Sequence, residues 1–130
     1  MKIENQVCSF KQAFRLTELG VKLDSYFRYV KYDDNTISIL PRGLWSDLRK
    51  GDVIDTFRAY TVAELNWLRE QKALFIPEEI RKKTAVEYNA CAGWWSFHNG
   101  DVYETEVEAS ADSLIWLIEN KYLKVEDLKL

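Results

Sequence analysis

Cysteine and histidine are almost missing from this chain. Cys8 and Cys91 are the only thiols, and His98 is the only histidine. Zinc held by Cys and His alone needs four ligands, and three exist, so such a site within one chain is excluded. Nothing marks the chain as secreted, so the two cysteines read as reduced, partly buried thiols. Long apolar runs are missing as well. The longest, Leu114-Ile115-Trp116-Leu117-Ile118, falls far short of the ~20 residues that span a bilayer. Lys2 and Glu4 precede no apolar stretch of the signal-peptide kind. A cytoplasmic protein without membrane contact is the expectation. Five Gly and two Pro stand singly, so no flexible linker is expected. There is no P-loop and no G-x-G-x-x-G.

Charge of one sign is also scarce. Eighteen basic and 21 acidic groups leave a net charge of −3 and an isoelectric point near 5.3. A dedicated duplex-DNA binder needs cations to neutralise phosphates, so that class is excluded. The distribution is uneven. Residues 1–50 carry nine basic and six acidic groups, 51–83 carry six of each, and 84–130 carry three basic and nine acidic. Such asymmetry hints at a head-to-tail contact or a basic face on the first half.

What the chain does have is globular composition: 47% hydrophobic and 30% charged over 130 residues, with 18 aromatics. That supports one domain, 1–130, with a core large enough to need no staple. Ser9 with Gln12 reads as a capping box, followed by Phe10, Ala13, Phe14 and Leu16 and a stop at Gly20. Residues 25–32 and 36–40 read as a hairpin around Asp33-Asp34-Asn35. Its register is open between two loops. A two-residue Asp34-Asn35 loop groups Val30 and Tyr32 with Ile37 and Ile39, and burial favours it. A three-residue loop with Asn35 left-handed pairs Lys31 and Tyr29 with those isoleucines.

Leu44, Trp45 and Leu48 suggest a turn or two of helix before Gly51. Thr61 with Glu64 opens another helix, and Pro77-Glu78-Glu79 running to Arg81-Lys82-Lys83 a third. Asn99-Gly100 predicts a two-residue hairpin, with Tyr103, Thr105 and Val107 inward and Glu104, Glu106 and Glu108 outward. Its incoming strand would run back through Trp94 to Val86, with Gly93 as a bulge. Val86, Tyr88, Ala90, Ala92 and Trp94 would then face inward, and Glu87, Asn89, Cys91, Trp95 and Phe97 outward. A last helix spans about 110–120. The fold class is α+β, antiparallel hairpins with helices packed on the sheet, in the order α-β-β-α-α-β-β-α.

Val7-Cys8-Ser9-Phe10-Lys11-Gln12-Ala13 continuing to Leu19-Gly20, then Ala59-Tyr60-Thr61-Val62-Ala63-Glu64-Leu65, and Leu117-Ile118-Glu119-Asn120-Lys121 form a third kind of signal. Together they resemble a group of small uncharacterised proteins associated with phages and mobile elements of gut bacteria. The matching pieces cover roughly a quarter of the chain and consist of helix-start and helix-end chemistry. The resemblance implies an accessory protein and carries no activity over to any residue.

The chemistry points away from catalysis. Cys91 and His98 fall on opposite faces of the expected hairpin, and His98 opposite Asp101 reads as a turn-closing pair. Glu104, Glu106 and Glu108 read as a solvated strand face. No cofactor or metal is expected. Trp45, Trp67 and Trp116 read as core. The binding candidates are Trp95, Phe97, His98 and Glu104, because large aromatics beside glutamates on an outward face usually mark an interface. The competing reading covers that face with the final helix or a loop, or lets Gly93 shift the register and bury Trp95. The expected function is a non-enzymatic protein-interaction or accessory module. Its partner would be a second copy or a host or phage protein. The alternative is a small-molecule or single-stranded nucleic-acid binder using an aromatic surface, for which Tyr26, Phe27, Arg28, Tyr29 and Lys31 supply rings and charge.

Overall fold

Capping chemistry sets where the helices begin in a computed structural model, whose described residues are 3–41, 53–97 and 100–128. Helix α1 (Phe10–Glu18) opens on the reciprocal pair read from the sequence: Ser9 Oγ accepts from Gln12 N at 3.2 Å, and Gln12 Oε1 accepts from Ser9 N at 3.0 Å. Gly20, at φ 91°, ends the turn. Thr61 and Glu64 do the same for α2 (Val62–Glu70), and Pro77 precedes α3 (Glu78–Thr84).

Between α1 and α2 lies an antiparallel sheet of β1 (Phe27–Tyr32), β2 (Ile37–Pro41) and β3 (Val53–Ala59), in the order β2-β1-β3. The register is the one burial had disfavoured. Tyr29 faces Ile39 and Lys31 faces Ile37, across a three-residue loop with Asn35 at φ 66°. Asp34 Oδ1 accepts from Thr36 N at 3.0 Å and from Thr36 Oγ1 at 2.6 Å, which holds that loop. The physical reason is β3, a strand that the hairpin pattern alone did not reveal. It sets Phe57 opposite Tyr29 and Ala59 opposite Phe27, so the aromatic face outweighs the aliphatic one. Phe10 of α1 meets Tyr29 and Phe57 edge-on, at 5.5 and 5.4 Å between centroids. The short helix expected at Leu44, Trp45 and Leu48 lies outside the described residues.

A second, smaller sheet comprises β4 (Glu87–Asn89), β5 (Trp94–Ser96) and β6 (Val102–Tyr103). Three expectations fail here. Gly93, at φ 78°, belongs to a tight turn and is no bulge: Gly93 N donates to Asn89 O at 2.8 Å, and Asn89 Oδ1 accepts from Cys91 N and Ala92 N. The long strand from Val86 is therefore a hairpin, and Tyr88, Ala90, Ala92 and Trp94 are exposed, not inward. Second, Trp95 faces Tyr103 and Ser96 faces Val102, one residue off the register a two-residue Asn99-Gly100 turn demands. Third, the outgoing strand stops at Tyr103. Thr105 caps α4 (Glu106–Glu119), its Oγ1 accepting from Glu108 N at 3.3 Å, so Val107 and the glutamates lie on a helix. The Thr105-x-x-Glu108 pattern was the overlooked signal.

The class is α+β, and α4 sits at its centre. Leu114, Leu117, Val107 and Ala111 of α4 join Leu65 and Leu68 of α2, Ile80 of α3 and Leu16 of α1 in one core cluster. Thr84 O accepts from both Arg69 Nη2 at 3.0 Å and Ser113 Oγ at 2.7 Å, tying the end of α3 to α2 and α4. Trp67, expected in the core, is 47% exposed, because Leu65 and Leu68 take the buried side of α2. Trp116 is half-buried and stacks on Tyr122 at 5.8 Å.

Helix α4 ends in a left-handed turn on an unusual residue. Tyr122 N donates to Leu117 O and Lys121 N to Ile118 O, a Schellman arrangement with Lys121 at φ 63° where glycine is the common choice. Lys121→Gly is expected to raise stability by about 0.5–1 kcal/mol in chemical denaturation, since relief of the left-handed strain outweighs the added chain entropy.

The thiols part company. Cys8 is fully buried, its N–H donating to Tyr60 O at 2.9 Å, whereas Cys91 is exposed in the β4–β5 turn. The expectation of two partly buried thiols is corrected for Cys91. A disulfide-exchange reagent should titrate one thiol in native protein and two in denaturant. Burial pushes the Cys8 thiol up to about 12 and raises the Tyr60 hydroxyl as well. Both hold their protons in the folded state after the unfolded chain has begun to release them. Stability is therefore whole below about pH 9 and falls as pH rises, by up to roughly 1.4 kcal/mol per pH unit for each group. Urea midpoints across that range should show the slope, and Cys8→Ala should flatten part of it.

Candidate functional site

Helices α2 and α4 start at the same place. Thr61, Val62 and Ala63 at the head of α2, and Thr105, Glu106 and Val107 at the head of α4, line one groove of about 580 Å³. Asn5, Gln6, Trp95 and Glu104 complete it. The antiparallel bridge Val7↔Thr61 holds the N-terminal segment at this place. Trp95 is half-buried, its ring 4.9 Å from that of Tyr88.

Helix N-termini ordinarily attract anions. Here they are already met from within. Glu64 Oε1 accepts from Thr61 N at 2.9 Å, Glu64 Oε2 accepts from Tyr26 N at 3.0 Å, and Thr105 caps α4. Glu104 and Glu106 add two carboxylates to the lining, and among the described residues no basic side chain contributes to it. Next to the groove the Glu108 carboxyl is raised, first by its burial and then by Glu104 and Asp112. A phosphate would be repelled. A cation carried on an apolar stem would be attracted, its stem against Trp95, Val62 and Ala63 and its charge at the glutamates.

Of the four residues read from the sequence, Trp95 and Glu104 come together in this groove. Phe97 does not reach a surface: it is 4% exposed and stacked on Tyr103 at 6.1 Å, because the one-residue shift turns it inward. His98 lies outside the described residues. Val62, Ala63 and Glu106 were missed. Their only sequence signal was the two Thr-x-x-Glu caps, which mark helix starts without saying that the starts converge. The stacking set of the first strand is also broken, since Phe27 and Tyr29 are buried.

The opposite pole has the opposite character. Lys72 just past α2 and Lys121 and Lys124 just past α4 share a groove of about 410 Å³ with Phe75, Tyr122 and Asp127. A third groove, between α1 and α4, is bridged by the Arg15–Glu119 ion pair at 3.0 Å.

Among the described residues, no group of three His, Cys, Asp or Glu side chains could hold a metal ion, and no helix is long and apolar enough to cross a membrane. No family model matches the chain, and no curated protein or solved structure is significantly similar to it.

Proposed function

We propose that this protein is a non-enzymatic interaction module, an accessory protein of phage or mobile-element origin acting in the cytoplasm. It docks a basic, apolar segment of a protein partner at the shared head of α2 and α4. The observation that carries this reading is the lining of the groove: Trp95, Val62 and Ala63 beside Glu104 and Glu106, with no cation among the described lining residues. A half-buried tryptophan lining a concave patch is a common anchor of a protein interface. Calorimetric titration with an amphipathic lysine-leucine peptide and with its glutamate-leucine counterpart tests it. Binding of the first only, lost in Trp95→Ala while stability changes by less than about 1 kcal/mol, is the expected result. Equal binding by wild type and Trp95→Ala would sink the idea.

A second reading, a small apolar ligand in the same groove, is favoured by its volume, which lies in the range of small-molecule sites. A thermal-shift screen separates the two. A ligand at 100 times its dissociation constant stabilises by about 2.7 kcal/mol, and nucleotides, sugars and oligonucleotides would leave a protein-docking groove unmoved.

A further inference from the structure

Leu74 and Phe75 are 88% and 83% exposed, on a 3-10 turn (Ala73–Phe75) between α2 and α3. Two large apolar side chains at the tip of one turn are costly to leave in water. They are set among cations: Lys72 Nζ lies 5.6 Å from the Phe75 ring, and Lys121 and Lys124 line the same basic groove. This tip is an apolar knob with positive charge around it. The groove at the head of α2 and α4 is an apolar hollow with negative charge around it.

Knob and hollow cannot meet within one chain. Both helices run from the acidic groove to the basic pole, and the 14 residues of α4 separate the poles by roughly 20 Å. We infer that the Leu74–Phe75 tip of one molecule seats in the Trp95–Glu104 groove of a second copy, giving head-to-tail self-association. The inference rests on the docking reading above and names the partner. Charge complementarity selects this occupant: among the described residues, three lysines and one aspartate at one pole meet two glutamates at the other. Because donor and acceptor surfaces differ, the contact is heterologous. Each copy keeps a free tip and a free groove, so the product is an open chain or a closed ring rather than a two-fold dimer. A contact built on one two-residue tip lies at the small, transient end of interfaces, so it should appear at roughly 0.1–1 mM protein.

Sedimentation velocity over that range tests it, at low and at high salt. The weight-average mass should climb with concentration and fall when salt is added. Leu74→Ser/Phe75→Ser removes the knob, and Ala63→Arg, at an exposed lining position, blocks the hollow. Each variant alone should stay monomeric with unchanged circular dichroism. An equimolar mixture should form a dimer and nothing larger, because only one intact tip and one intact groove can engage. Lys72→Glu/Lys124→Glu is a second tip variant and should raise the association constant's midpoint concentration at least tenfold. A wild type that stays monomeric throughout overturns the inference, as does a mixture that stays monomeric while wild type associates. If wild type is monomeric yet the lysine-leucine peptide still needs Trp95, self-association falls and the docking groove stands. If the peptide fails as well, both fall.

Discussion

Leu114→Ala lowers the unfolding free energy by about 3–4 kcal/mol. Leu114 is completely buried on α4, in the cluster that also holds Leu65 and Leu68 of α2, Leu16 of α1 and Ile80 of α3. Truncation removes apolar area and leaves a cavity walled by several elements, none of which can collapse alone. Phe14→Ala is the matched control. That ring is 44% exposed on α1 and touches Phe57 edge-on, so its loss should cost about 1 kcal/mol or less. Urea unfolding followed by circular dichroism reads both. A Leu114→Ala midpoint no lower than that of Phe14→Ala would deny α4 its central place.

Gln12→Ala should cost about 2–3 kcal/mol, more than any other polar substitution on α1. The side chain closes the capping box on Ser9 N at 3.0 Å. It then reaches α4, donating to Glu108 O at 2.8 Å and Asp112 Oδ1 at 2.7 Å. Asp112 Oδ2 in turn accepts from Tyr103 Oη at 2.7 Å, so one glutamine links α1, α4 and β6. Ser9→Ala removes only the cap and should cost about 1 kcal/mol. The gap between the two variants measures the link to α4. Equal losses would mean that the contacts across to Glu108 and Asp112 contribute nothing.

Local chemistry was legible, and so was class. The Ser9–Gln12 and Thr61–Glu64 boxes, the stop at Gly20 and the Pro77 helix start all depend on residues within four positions of each other, and each stands as read. Parity along strands was not legible, because a shift of one residue reverses every face and only tertiary burial chooses. β3 decided the register of β1 against β2 by adding Phe57 to the face of Tyr29. The cap at Thr105 decided where β6 gives way to α4, turning an apparent strand alternation into the first turn of a helix.

The groove shows the same division. The sequence by itself determined an α+β chain with capped helices, a core large enough to need no staple, and a late acidic stretch near a tryptophan pair. Only the tertiary structure decided that Thr61 and Thr105, 44 positions apart, cap parallel helices whose heads meet beside Trp95 and whose tails meet among lysines. Burial of Leu65 and Leu68 against Leu114 aligns those two helices. That long-range packing term, absent from any local window, makes one pole acidic and the other basic.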